Sequence, residues 1–343
     1  HLDPARQQLD LRQAPLLRLC YAYDAVGQRW VGGLLFHHLV GDAASLAALL
    51  EEIDSHLRGD GARLPPPFRY RTYTMHARRD QHAEEHALFF KEMLGDVCEP
   101  TIAFGLQDLS IGDPQLHTAA AQIDVSIAQR LQVQARRLGV SVATLCHVAW
   151  AQVLSAASGR QDVVFGTVML GRTQGKQIER AIGIFINTLP IRVRLGRTSV
   201  RAVIKQTHAW LSELLAHERA SLSHAQLCSG TSTQRVLFNA LFNYRRLSRA
   251  NLNGTVLQAW PGIDVLGGEE RSTYPVSLSM DDLGDGFQLT AQASADGVPA
   301  RMCSYMQTAL QQLVDALERE SETPINQLCV LPADERRQLL ETF

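Results

Sequence analysis

Apolar positions recur along the chain with two periods, and each period predicts its own elements. Leu16 to Asp24 (LLRLCYAYD) alternates as a half-buried strand does. Ala25-Val26-Gly27-Gln28 breaks the alternation and Arg29 to His37 resumes it, which predicts a β-hairpin. The period then lengthens. Leu46, Leu49, Leu50 and Ile53 share one face of a helix that Asp42 or Ser45 can cap and that runs to about His56. Gly59 to Pro67 reads as a loop, and a further helix is predicted near Ala83 to Leu94.

Phe104 to Leu116 (FGLQDLSIGDPQL) has the Gly, Pro and Asp content of an inter-lobe linker. Beyond it, strands are predicted at Gln122 to Ser126, Gln161 to Leu170, Val236 to Tyr244, Tyr274 to Asp281 and Phe287 to Ser294. Helices are predicted at Ile127 to Leu138, Val142 to Leu154, Val200 to Arg219 and Ala300 to Leu317. Mixed strands and helices with long excursions between them, and no repeat period, predict an α/β sandwich. The expected organisation is one lobe over residues 1–110 and a second over 111–323.

Composition adds limits. The 343 residues are 45% hydrophobic and 20% charged, enough for two packed lobes. A net charge of −2 points to no nucleic acid and no anionic membrane surface, and no apolar run reaches transmembrane length. Cys20, Cys98, Cys146, Cys228, Cys303 and Cys329 are scattered without a Cys-x-x-Cys pair. They read as reduced core thiols of a cytoplasmic protein, so neither a disulfide framework nor a structural zinc is expected. The chain opens on His1, close to a strand, and is expected to be a fragment of a longer polypeptide.

Candidate chemistry concentrates at Phe36 to Ser45 (FHHLVGDAAS). Successive side chains on a strand point to opposite faces, so His37 and His38 cannot both ligate one metal ion while the strand stays regular. One ring is expected in the packed layer and the other in open space. With an unperturbed pKa near 6.5, the outward ring can accept a proton near neutral pH. Asp42 can cap the following helix or pair with an arginine. On the residues alone, a satisfied core histidine and a catalytic one remain equally open readings.

Other signals point to structure. Gly166-x-x-x-x-Gly171-Arg172-Thr173 nearly spells a phosphate loop, but it carries Arg for Lys and then Gln174-Gly175 where a helix should start. It reads as a strand end and a loop. Cys146-His147 lies in a buried helical pattern whose adjacent residues diverge, and no Gly-x-Ser-x-Gly elbow is present. His82 and His86 lack the glutamate placement of a zinc-protease helix, and Arg69-Tyr70-Arg71 is too small a basic spot for nucleic acid.

His37-His38-Leu39-Val40-Gly41-Asp42-Ala43 resembles the His-His-x-x-x-Asp-Gly motif of nonribosomal peptide synthetase condensation domains, with Ala43 where that family has Gly. The motif is shared with epimerisation domains and other acyltransferases of the superfamily. Ile182 to Arg192 (IGIFINTLPIR) is similar to the condensation-type Gly-x-Phe-Val-Asn-Thr segment, and Val164 to Thr167 with Gly171-Arg172 to the strand and Gly-Arg pair before it. His217-Glu218-Arg219 stands where the family has a His-Gln-Asp-type motif, and Leu237 to Asn243 resembles a downstream strand. Residues 324–343 look like the tether toward a following adenylation domain.

The resemblance implies a two-lobed sandwich like chloramphenicol acetyltransferase, with the N-terminal lobe incomplete because the family's first strands and helix lie upstream of His1. It implies that a donor acyl or peptidyl thioester and an acceptor aminoacyl thioester, each on the phosphopantetheine arm of a carrier domain, meet in a tunnel and form an amide. Upstream and downstream carrier domains and an adenylation domain are the implied partners, and the domain itself binds no cofactor and no metal. His38 takes the catalytic position. His37 and Asp42 support it, and the backbone N–H near Ala43 polarises the donor carbonyl. Alanine keeps that N–H but is strained wherever a left-handed backbone is required. Gly171, Arg172, Asn187 and Thr188 are implied at the tunnel or lobe interface. A silent carrier-docking module, a dual epimerising and condensing domain, and a free-standing acyltransferase are the alternatives.

Overall fold

The structure is a computed structural model that describes residues 9–78, 82–106, 116–172, 178, 180–231, 236–246, 262–268, 270–319 and 322–341. Its contacts divide the chain into two compact units: residues 1–80, 170–186 and 253–270 in one, and 81–169, 187–252 and 271–343 in the other.

In the first unit the predicted hairpin forms. Strands β1 (Leu17–Asp24) and β2 (Arg29–Phe36) pair antiparallel, Leu17 opposite Phe36 and Asp24 opposite Arg29. Asp24 closes the turn by accepting the Val26 and Gly27 amides. The ladder ends one residue earlier than the alternation predicted, so His37 leaves the strand, although its N–H still reaches Leu16 O at 3.1 Å. Helix α1 (Ala43–Leu57) starts at Asp42, whose carboxylate takes the Ser45 amide; of the two predicted caps, Asp42 is the one used. Helix α2 (Tyr70–Arg78) went unpredicted: it is short and polar on average, although Tyr70 and Tyr73 on one side pack against Phe185.

The second unit is a mixed sheet between helices. It contains α3 (Ala83–Leu94), β3 (His117–Ile123), α4 (Val125–Leu138), α5 (Val142–Ser158), β4 (Asp162–Met169), β5 (Asn187–Arg194), α6 (Val200–Ala216) and α7 (Leu222–Leu227). It continues with β6 (Ala240–Arg246), β7 (Val276–Asp282), β8 (Phe287–Ala293), α8 (Val298–Glu318) and α9 (Ala333–Glu341). The strand order is β3-β8-β7-β6-β4-β5, with β4/β6 and β6/β7 parallel and the other pairs antiparallel. The α/β class expected from the sequence is the class observed.

Each face of the sheet has its own apolar layer. Phe165, Ile191, Phe242, Leu278 and Leu289 pack with α5 and α8, whereas Val164 and Leu189 face Phe90, Met93 and Leu94 of α3. Strand β4 is buried on both faces, hence its mostly apolar sequence, in which the buried Thr167 meets His147. Strand β5 was not predicted because Pro190 interrupts it. A proline cannot donate to a ladder, and β5 tolerates one because it is the outermost strand. Helix α5 is buried continuously from Thr144 to Leu154, which explains its all-round apolar sequence. No single helix among the described residues is long and apolar enough to cross a membrane. All six cysteines are free thiols.

The boundary expected near residue 110 does not coincide with the unit boundary, because α3 packs with α7 and β5 in the second unit. Most of the expected linker (residues 107–115) and the phosphate-loop-like Thr173 to Gly175 lie outside the described residues.

Candidate active site

The turn after β2 orients two histidine rings through backbone groups. His37 Nδ1 accepts the Leu39 amide at 3.0 Å, so in the neutral ring the proton sits on Nε2. His38 Nδ1 lies 3.2 Å from Gly41 O. A carbonyl oxygen only accepts, so His38 Nδ1 carries the hydrogen and Nε2 holds the exchangeable site. The His38 side chain is 44% exposed, and its Nε2 faces the Glu270 carboxylate at 3.5 Å. That carboxylate chiefly raises the His38 pKa; partial burial opposes it, and the Gly41 carbonyl and Asp42 add to the rise.

Behind the turn, Asp42 is 2% exposed and joins two segments of the first unit, 1–80 and 170–186. It takes Arg172 Nη2 at 2.6 Å on Oδ1, the Ser45 amide on the same oxygen, and the Phe185 amide at 3.1 Å on Oδ2. Burial pushes the Asp42 carboxyl up, but the Arg172 and Ser45 bonds outweigh it and the net shift is downward. Capping and arginine pairing, alternatives on sequence grounds, are both made by this one side chain. Arg172 also donates to Ile178 O and Ala181 O, and its guanidinium lies 4.2 Å from the centre of the Phe185 ring. Ser45 Oγ accepts from Arg172 at 2.8 Å and from Gly183 N at 3.1 Å. Tyr70 donates to Ile184 O at 2.6 Å. The arrangement is a rigid polar anchor that fixes where the exposed ring of His38 stands.

Ala43 is the first residue of α1, and outside glycine the described positive φ values occur only at Gln28 and Phe104. The strain anticipated there is therefore absent. Its N–H is among the first-turn amides that no helical carbonyl reaches. Gly171 does need to be glycine: its φ is +62°, and a Cβ would lie 1.9 Å from Phe185 O.

Asn187 and Thr188 fall in the second unit. Asn187 Nδ2 donates to Glu218 O at 2.9 Å and Ala220 O at 2.7 Å, tying β5 to the segment after α6. Thr188 pairs with Val168 in the sheet. His217 meets His86 with Nδ1 atoms 2.6 Å apart and stacks on Phe89. His147 is buried, its Nε2 2.8 Å from Thr167 Oγ1, so it is structural and not the partner of Cys146. No group of three or more His, Cys, Asp and Glu residues among the described residues could hold a metal ion.

Ser45, Tyr70, Phe185 and Glu270 complete the site without having been singled out for it. Ser45 carried a helix-start signal, whereas Phe185 and Glu270 reach it only through chain folding.

The condensation-domain family model matches residues 3–340. Malpinin synthetase of Mortierella alpina is 43% identical over 339 residues, covering 98% of this chain and 4% of that protein. Malpibaldin synthetase of the same organism is 41% identical, covering 99% and 6%. The chain thus spans a small part of its curated relatives. The X-domain of teicoplanin biosynthesis, solved with OxyB, shares the fold with a TM-score of 0.79 at 16% identity, over 96% of this chain and 78% of that one.

Proposed function

The chain belongs to the condensation-domain family, and from that premise we propose that it is the amide-forming domain of a nonribosomal peptide synthetase. The observation that carries the reading is the half-exposed His38 ring, whose Nδ1–H is committed to a backbone carbonyl and whose Nε2 is left to exchange a proton.

In the proposed reaction the α-amine of a carrier-bound aminoacyl thioester attacks the carbonyl of a carrier-bound acyl or peptidyl thioester. The C–N bond forms, the C–S bond breaks, and the carrier thiol leaves. A free α-amine has a pKa of about 7.7–8.0, so much of it is already nucleophilic near neutral pH. The proton that needs a destination is the one released from nitrogen after attack, and His38 Nε2 receives it. The Ala43 N–H stands at the N-terminal end of α1, where an amide can polarise the donor carbonyl. His37 and Asp42 shape and anchor the turn. Phosphopantetheine arms belong to the carriers, and the neighbouring carrier and adenylation domains are the proposed partners.

The test is single-turnover peptide-bond formation in the synthetase polypeptide with both carriers loaded. His38→Ala is expected to lose roughly 10²–10⁴-fold in rate while remaining folded. A loss below severalfold, with His37→Ala abolishing turnover in a folded protein, reverses the assignment. Absence of any product from the wild type leaves the docking-module reading.

A further inference from the structure

Glu270 is the acidic group facing the exchangeable nitrogen of His38, and it comes from a segment more than 200 positions downstream. No motif draws attention to it. Three observations bear on its role. The Gly41 carbonyl engages Nδ1, so the ring can meet Glu270 through Nε2. A neutral ring in this tautomer offers Nε2 as a lone pair, which a carboxylate repels. A protonated ring offers Nε2–H, which a carboxylate accepts. The contact is therefore selective for the imidazolium. The pair is half exposed, at 44% for His38 and 59% for Glu270, so incoming substrate has access to it.

We propose that Glu270 is a positioning residue for His38, holding the ring in place and stabilising the imidazolium that forms when the attacking amine gives up its proton. This rests on His38 being the proton acceptor. The balance is complete within the reaction. As the C–N bond forms and the C–S bond breaks, the ammonium proton moves to Nε2, the imidazolium is met by Glu270, and the proton then passes to the departing thiolate. The pair returns to its starting state and no external acid or base is consumed. Asp42 also acts on the ring, but it is engaged by Arg172 in the anchor, so Glu270 is the group to vary. The upward shift of the His38 pKa, led by Glu270, accords with this.

Two readouts on the synthetase polypeptide test it. The first is the pH dependence of His38 carbethoxylation by diethyl pyrocarbonate, read at that residue by peptide mass spectrometry; the reagent attacks the neutral ring, and the readout needs no turnover. The second is the pH–rate profile of single-turnover transfer. Glu270→Gln keeps the size and polarity of the side chain and removes its charge. It is expected to move the His38 reactivity midpoint and the acid limb of the rate profile to lower pH, with the plateau rate down by roughly two- to fivefold, the range open to a solvent-screened pair. Glu270→Lys is expected to move both further in the same direction, and Glu270→Asp to restore part of the wild-type midpoint. A Glu270→Gln midpoint equal to wild type overturns the proposal. A shifted midpoint with transfer insensitive to His38→Ala preserves the pairing but removes its role in proton uptake, and so identifies the catalytic reading as the part that failed.

Discussion

His37 and His38 are adjacent in sequence and use the same ring atom in opposite senses: Nδ1 of His37 accepts from an amide, and Nδ1 of His38 donates to a carbonyl. The turn thereby sets opposite neutral tautomers on neighbouring rings. Only the second offers its Nε2 lone pair, which is the physical reason to place the reactive role on His38.

Asp42 and Arg172 form a buried pair whose members each serve several backbone groups, so removing one strands the other. Asp42→Ala or Arg172→Ala is expected to destabilise the protein by about 3–5 kcal/mol, with loss of activity following loss of fold. Denaturant unfolding of each single variant and the double variant checks this, with the double expected to fall well short of the sum.

The same carboxylate sets an acid limit. Its folded pKa lies below the unfolded value of about 3.9, so its contribution is complete above that pH and is lost as pH falls through the lower folded pKa. In acid titrations followed by circular dichroism, Asp42→Asn is expected to lose this part of the pH dependence below about pH 4, starting from a lower stability.

His147 acts in the other direction. Burial lowers its pKa to about 4, against the smaller upward effect of Ala143 O. The unfolded ring, with a pKa of about 6.5, binds the proton more readily, so stability is full above about pH 6.5 and declines as pH falls toward the folded value. The difference corresponds to roughly 3 kcal/mol across that window. His147→Gln is expected to flatten the slope, as measured by unfolding midpoints between about pH 7 and 4.

Gly171→Ala places a Cβ against Phe185 O in a left-handed backbone. The conformation alone costs about 1–2 kcal/mol, and the overlap forces the chain around Arg172 to move. Lower thermal stability is expected, with faster proteolysis near that segment. Ala43→Gly, by contrast, is expected to leave transfer within about twofold and to cost at most about 1 kcal/mol, since the site is ordinary helix.

Much of the fold was legible because burial writes itself into period. Helix α3 and strand β8 follow their apolar patterns closely, α5 reads as a buried helix, and β4 reads as a strand by its β-branched residues. Strand β5 escaped because Pro190 argues against a strand until its edge position is known, and α2 because its nine residues are polar on average and its Tyr70–Tyr73 side is short. At the site, His38 and Asp42 were legible through local spacing and chain chemistry. Phe185 lay in the motif-like segment Ile182 to Arg192, but Glu270 had no signal, since a contact closed over more than two hundred residues leaves no periodic trace in a single sequence.

The carbonyl that orients His38 belongs to Gly41, where a Cβ would fall 2.6 Å from the Phe36 ring and 2.8 Å from the Ser45 side chain. The steering group is thus main chain, at a position with no room for a substituent. Side chains around the turn can therefore change without altering which ring nitrogen of His38 the main chain holds.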